Sequence, residues 1–430
     1  MAVTAGQPAA QNPAYRPASH CVGRSLKPDS EHLWRGPRWA LALLLAGLSM
    51  VGPFAVDTYL PAFEGIAGSL QATPVQMQQT LSGYLLAFGL MNLFHGSLSD
   101  SLGRRPLVLA GTGVFALASL GCALAPNFTT LLVFRVLQGM SAGAGMVVAR
   151  AIIRDLYAPA DAQRAMSQVT IFFGIAPVVA PLVGGVVYEW AGWRAIFVVL
   201  TLLGAAFWLA NLRWLPETLP PAARQPLRVS SLLKGYVALL KRPRLWGLLL
   251  ASSLPFNAFF LYVLAAPAFL GELLGLPPTA YALFFACTAV GIMGGAFVSG
   301  RLAGQLAPHR QILLGGSVMA LAMALHVAVQ ALLPPHPLTH MPLLGLYSFG
   351  WSLLTPVVTI LALDQAPERR GMVSSLQTAL GNTTSALVAG VLIPLVMHSL
   401  VGLALASAAL WAAGALAWWC VRSKVGVPSR

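Results

Sequence analysis

Apolar runs of about twenty residues, the length that spans a bilayer as a helix, recur twelve times along the chain, each nearly free of charge and bounded by a polar cluster. They fall near 39–60, 76–97, 107–125, 130–152, 165–188, 194–214, 245–269, 279–302, 311–333, 341–362, 371–397 and 400–421. Strands of a membrane barrel alternate polar and apolar positions, but Leu313 to Leu333 and Leu400 to Val421 are apolar on every face. The pattern predicts an all-α integral membrane protein of twelve transmembrane helices. Pro335, Pro337 and Pro342 predict a loop through His336 and His340.

The longest polar interruption, 215–244, contains Pro216, Pro220, Pro221, Pro226 and Pro243 and a concentration of basic residues, and it divides the chain six plus six. The sixteen residues from Gly96 align, 204 positions later, with those from Gly300; Gly96, Leu98, Leu102, Leu109 and Gly111 match Gly300, Leu302, Leu306, Leu313 and Gly315. Both segments lie between the second and third spans of their halves, which supports an internal repeat: two six-helix halves around a central cavity. The expected organisation is a disordered tail over 1–38, an N-terminal half over 39–214, a linker over 215–244, a C-terminal half over 245–421 and a short tail over 422–430. The first 38 residues, rich in Ala, Pro and Ser, lack the features of a signal peptide.

Composition strengthens the membrane reading: of 430 residues 57% are hydrophobic and 9% charged, with a mean hydropathy of +0.74, against about 25% charged in soluble chains. The net charge of +14 raises the question of a polyanionic partner. Its distribution answers it, because 24 of the 26 Lys and Arg residues fall on the side of the termini and only Arg135 and Arg194 on the other. Under the positive-inside rule both termini are cytoplasmic, so no nucleic-acid partner is expected. Cys21, Cys122, Cys287 and Cys420 are scattered without paired or metal-ligand spacing. The histidines build no metal site, and no catalytic constellation, nucleotide loop or soluble domain is present, so an enzyme is not expected.

The segment Gly96-Ser-Leu-Ser-Asp100-Ser-Leu-Gly103-Arg104-Arg105-Pro106 resembles the cytoplasmic signature of the major facilitator superfamily. VDTYLPAF from Val56, FRVLQGMSAGAGMVVARAIIRDLY from Phe134, GIAPVVAPLVGG from Gly174, GWRAIF from Gly192 and LPETLP from Leu215 are similar to the Bcr/CflA branch of drug:proton antiporters. These matches cover nearly all of the N-terminal half; the C-terminal half resembles the branch loosely. The resemblance implies a multi-pass carrier of a bacterial cytoplasmic membrane that exports small amphipathic drugs against inward proton flow, with no cofactor besides the proton and as a monomer. It also implies that Gly96, Asp100, Gly103, Arg104 and Arg105 form a conformational latch bridging the halves near Gly371. Gly174, Pro177, Pro181, Gly184 and Gly185 match the helix associated with antiporters; its prolines free backbone groups and its glycines admit a neighbouring helix.

Residue chemistry points the same way. Ionisable groups inside a bilayer cost about 2.5–3.5 kcal/mol on insertion scales and face a cavity or a partner. Asp57 is expected near the outer end of the first span and Arg135 at similar depth in the fourth, whereas every other acid falls in a tail or loop. Asp57 is therefore read as the proton-binding carboxylate and Arg135 as the neighbour that tunes it, Arg being unable to deprotonate itself. Tyr59, Tyr84, Phe88, Asn92, Met140, Asn257, Phe260, Tyr262, Trp351, Gln377 and Asn382 are the candidate cavity-lining residues, on the principle that a drug pocket combines aromatic walls with a few polar anchors. The alternative is a proton-coupled carrier of a single sugar, nucleoside or amino acid on the same scaffold, which would call for a more polar pocket.

Overall fold

The computed structural model describes Trp34 and residues 38–157, 176–302 and 305–422. The amino-terminal tail apart from Trp34 and Arg38, the start of the fifth expected span with Gly174, the repeat position Gly304 and residues 423–430 lie outside the described residues. The helices are α1 (Arg38–Asp57), α2 (Phe63–Leu70), α3 (Pro74–Leu102), α4 (Arg104–Ala123), α5 (Phe128–Leu156), α6 (Ala176–Ala191), α7 (Trp193–Trp214), α8 (Val229–Leu240), α9 (Pro243–Leu264), α10 (Tyr281–Leu302), α11 (Pro308–Leu332), α12 (Pro337–Leu363), α13 (Arg370–Leu387), α14 (Ile393–Val396) and α15 (Leu400–Arg422). Ten of the resulting segments are long and apolar enough to cross a membrane, α1 with α2 and α13 with α14 each counting as one. Joined by the more polar α3 and the shorter apolar α6, they make the twelve spans that the pattern predicts.

Local signals set the ends. Thr73 caps α3 reciprocally with Gln76: its hydroxyl accepts from Gln76 N at 3.2 Å while Gln76 Oε1 accepts from Thr73 N at 2.8 Å, and Pro74 occupies the first turn, where no N–H is needed. Asn127 caps α5 by accepting from Thr130 N at 2.9 Å. Proline placement also corrects one expectation. The segment through His336 and His340 is not a loop, because α12 begins at Pro337 with His336 as its cap and continues through Pro342 and Pro356. A proline at the first position costs the helix nothing. His340 is thereby buried, its ring 6.0 Å from that of His326.

Within the first half α3 and α4 pack on α5, α7 packs on α4, and α1 lies on α5; within the second, α10 and α11 pack on α12 and α9 on α15. Small residues on α5 allow this closeness: a Cβ on Gly139 would overlap the Tyr84 carbonyl, and one on Gly145 would lie 2.6 Å from Leu48 O. Large apolar side chains such as Leu117, Val290, Leu321 and Leu395 point outward and exposed, as helices solvated by lipid require. The repeat is visible in the fold, since α4 starts at Arg104 and α11 at Pro308, the offset at which the two sequence segments align.

The halves meet mainly where α3 packs on α13. At the end away from the basic loops the contact is direct: Gln78 Nε2 donates to Leu264 O at 3.2 Å and Ser82 Oγ to Ala386 O at 2.8 Å. At the basic end the linker helix α8 intervenes. Tyr236 Oη donates to Leu93 O of α3 at 2.9 Å, and Gly235 packs beneath Met372 of α13.

Candidate functional site

Asp57 is the last residue of α1, where the helix gives way to a tight 3-10 turn over Leu60–Ala62 and then to α2. Pro61 supplies no N–H to continue the helix, and Thr58 folds its hydroxyl back to Phe54 O at 2.6 Å. The break leaves Asp57 at 4% exposure. It is the only buried carboxylate among the described residues, and it makes no hydrogen bond or ion pair with any of them. A carboxyl group at this depth without a bonded partner leaves its oxygens free for a proton or a ligand.

Arg135, on α5, is completely buried. Its guanidinium carbon lies 4.5 Å from the ring centre of Tyr59 and 4.3 Å from that of Tyr84, an arrangement in which the electron-rich ring faces attract the cation. Nη1 donates to Ala55 O at 3.3 Å and to Gln138 Oε1 at 2.6 Å, and Gln138 Nε2 donates in turn to Ser119 Oγ at 2.7 Å. Tyr59 Oη shares a hydrogen bond of 2.7 Å with Thr80, and Tyr84 Oη donates to Gly52 O at 2.9 Å. One polar layer thus joins α1, α3, α4 and α5. Asp57 and Arg135 are not ion-paired; Tyr84 lies within electrostatic reach of both. Two nitrogens of Arg135, Nε and Nη2, have no partner among the described residues, so the guanidinium retains bonding capacity.

Gln138 is the participant that sequence reasoning misses, although an amide three residues after an intramembrane arginine on one helix face was the available signal. Among the candidate lining residues, the structure brings together two groups. Phe260 stacks on Phe256 at 4.9 Å between ring centres, Phe256 meets Trp351 at 5.1 Å, and Trp351 Nε1 is buried without a partner among the described residues. On α13, Gln377 donates to Ser252 Oγ at 2.8 Å and Thr359 Oγ1 at 3.1 Å, while Asn382 bonds to Thr378 O one turn back at 2.9 Å. Phe88 stacks near Tyr84 and fills the space beside Gly52; Asn92 is buried with its amide nitrogen unbonded, and Met140 is exposed.

Two candidates are engaged by neighbouring helices in this structure. Asn257 donates to Ser253 O at 2.9 Å and accepts from Ser385 Oγ at 2.8 Å, sewing α9 to α13. Tyr262 is fully buried against Phe269 and bonded to His326 at 2.8 Å. A buried amide or phenol finds its partner inside the bundle when no water can supply one, and here the partners are neighbouring helices. Among the described residues no group of three or more His, Cys, Asp or Glu could hold a metal ion.

The loop after α3 turns at Gly103, whose φ of 106° and ψ of 161° suit glycine alone. Arg104 then opens α4, a helix end that ordinarily repels cations. Three acids offset this: Asp100 accepts from Nη1 at 2.5 Å, Asp155 from Nε at 3.1 Å, and Glu217 from the Arg104 backbone N–H at 3.0 Å. Arg105 donates to Leu212 O at 2.7 Å, and the Asp100 carbonyl accepts from Gln225 N at 3.0 Å; Gly96 has open space around it. Every one of these partners belongs to the first half or the linker. Among the described residues no bond joins this cluster to the region of Gly371, and the bonds it makes fasten the linker to its own half.

Pro177 and Pro181 lie in α6, whose far end crosses both halves. A Cβ on Gly184 would overlap the Thr58 carbonyl beside Asp57, and one on Gly185 would lie 3.1 Å from Pro278 O at the start of α10. The two glycines therefore let α6 close the molecule at the end where Asp57 sits.

Known proteins share this organisation. The family model described as Major Facilitator Superfamily matches residues 39–390. An uncharacterised MFS-type transporter of Bacillus subtilis (strain 168), YdgK, is 33% identical over 342 residues, which are 79% of this chain and 85% of that one. Multidrug resistance protein D of Escherichia coli (strain K12) is 30% identical over 363 residues, 81% of this chain and 87% of that one. Among solved structures, a bacterial homologue of the human lysosomal transporter Spinster, in an inward-facing and unoccupied conformation, superposes with a TM-score of 0.70 at 16% identity over 91% of this chain and 99% of that one.

Proposed function

Since the chain belongs to the major facilitator superfamily, whose members are membrane carriers and not enzymes, we propose that it exports small amphipathic drugs, antibacterials among them, across a bacterial cytoplasmic membrane in exchange for protons. Both termini lie in the cytoplasm in this reading, and the end where Asp57 sits is the outer end. The observation that carries it is Asp57, the one buried carboxylate among the described residues and bonded to none of them, on the α1 end of a bundle whose α5 holds the caged Arg135. Relatives named for multidrug, bicyclomycin and chloramphenicol resistance supply the substrate class.

Antiport needs one group that releases a proton when the drug arrives and regains it facing outward. Asp57 is suited to this because α6 closes over its end of α1 through Gly184, so that movement of α6 changes its access to water. Arg135 holds the local potential positive without exchanging its own proton. Its nitrogens Nε and Nη2, unbonded among the described residues, offer a polar part of the drug a place to bond. The stacked rings of Phe256, Phe260 and Trp351 provide the apolar wall and the unbonded indole N–H a single anchor. No cofactor beyond the coupling proton and no nucleic acid enters the cycle, and a monomer in the bilayer contains every group invoked.

Proteoliposomes with an imposed pH gradient test the assignment. Asp57→Asn is expected to abolish drug-driven proton release while drug still binds. Release equal to the parent protein overturns the role of Asp57, and release evoked by one polar metabolite but by no lipophilic antibacterial overturns the drug-efflux reading in favour of a narrow metabolite carrier.

A further inference from the structure

At the outer end, away from the polar layer around Arg135, the two halves line a half-open cavity of about 300 Å³. Phe63 and Glu64 of α2 and Tyr188 of α6 form its wall on one side; Gly271, Pro278 and Tyr281 form it on the other. Glu64 and Tyr281 converge from opposite halves. A Cβ added at Gly271 would lie 2.6 Å from Tyr281 Oη and 3.2 Å from Glu64 Oε1, so the absence of a side chain there keeps the space between them open. Tyr188 Oη sits against Gly65, immediately beside Glu64.

The charges around the cavity have one sign. No Lys, Arg or His lines it, and Glu64 makes no ion pair among the described residues. Of the neighbouring acids, Glu189 follows Tyr188 and is exposed, and Glu272 faces His398 at 3.9 Å. Arg194, the exceptional outer basic residue, is occupied elsewhere: it donates to Ala125 O at 3.1 Å and stacks on Trp193 at 4.2 Å. A carboxylate and three aromatic residues around a half-open volume, with no competing cation in its lining, are the chemistry that recognises an organic ammonium ion, because ring faces and carboxylate both attract positive charge while the rings tolerate its alkyl groups.

We propose that this outer cavity is a binding site for a small organic cation of the quaternary or protonated amine type, separate from the central site, and that its occupancy holds the outer end closed. Closure follows from the construction. The walls come from both halves, the ligand contacts all of them only while Gly185 and Pro278 remain in contact, and a ligand that binds one state better shifts the population toward that state. The site does not depend on the efflux reading, since it would exist on a carrier of any cargo.

Equilibrium dialysis of the purified protein against tetraethylammonium chloride, with sodium chloride at equal ionic strength as reference, tests the proposal. The expected result is saturable binding that Glu64→Gln weakens at least tenfold and Tyr281→Leu weakens severalfold. Tyr281→Phe, which keeps the ring, should bind as the parent does and shows that loss in the leucine variant is not misfolding. Asp57→Asn should leave binding intact. Absence of saturable binding, unchanged binding in Glu64→Gln, or loss in Asp57→Asn alone overturns the site. For closure, Ser82 and Gly390 are replaced by cysteine in a background free of Cys21, Cys122, Cys287 and Cys420. Tetraethylammonium should speed formation of this cross-link several-fold, and an unchanged rate overturns the closing role.

Discussion

Arg135 spends its charge in an unusual way: one nitrogen is bonded twice, two are free, and the plane of the group lies between Tyr59 and Tyr84. Lysine keeps the charge but loses both the flat stacking surface and the bond to Gln138. Arg135→Lys is therefore expected to lower the melting temperature in detergent and to reduce drug-driven proton release at least tenfold, whereas transport equal to the parent would show that the charge alone suffices. Gln138→Leu removes the acceptor for Arg135 and the donor to Ser119, a loss of about 1–3 kcal/mol for buried groups left unmatched, to be read as a lowered midpoint of thermal unfolding. Asp57 and Arg135 could be picked out of the sequence because a charge inside an apolar run stands out against its neighbours. Thr80 and Ser119 could not, since neutral polar residues are ordinary within a span and acquire meaning only once α1, α3, α4 and α5 are packed; Gln138 was signalled only by its place three residues after Arg135. Asn257 and Tyr262 show the mirror-image point: polarity marks a residue that needs a partner without saying whether the partner is a ligand or the next helix.

At the level of helices, the twelve spans and the six-plus-six division were legible because the bilayer imposes one length and one polarity on every crossing. Proline was the misleading signal. At Pro337 it reads as a breaker, yet the first turn of α12 has no bonded N–H to lose, and the helix continues through Pro342 in its second turn. The crossings of α6 were legible as composition and not as geometry, since Gly184 and Gly185 could have faced any neighbour. Their contacts make sharp expectations. Gly185→Val places two methyl groups against the Pro278 backbone, so the halves should no longer close at the outer end; a fall in transport together with increased labelling of a cysteine placed at Thr279 checks this. Gly103→Ala forces a side chain into a positive-φ turn and against the Glu217 carboxylate. The strain is about 1–3 kcal/mol, and the expected outcome is faster proteolysis of the linker at Arg224 and Arg228, with unchanged digestion counting against the latch.

Across the whole molecule, fastening is uneven. The halves share direct bonds at the outer end, where a Cβ on Gly390 would lie 3.0 Å from that of Ser82, so the Ser82→Cys, Gly390→Cys pair should cross-link in an oxidant and stop transport until a reductant is added; cross-linking that leaves transport untouched would mean that the outer end need not open. At the inner end the two parts of the linker have different loyalties. Glu217, Thr218, Arg224 and Gln225 are bonded to α3, α4 and α5 or to one another, while α8 carries Tyr236 to Leu93 and lies under α13. Between them the chain from Pro226 to Ser230 is exposed throughout. That short stretch is where the polypeptide is most nearly dispensable as a covalent object: two fragments made separately, one ending after Gln225 and the other beginning before Val229, keep every bond just described and should find each other in the bilayer, reconstituting a working carrier from a severed gene.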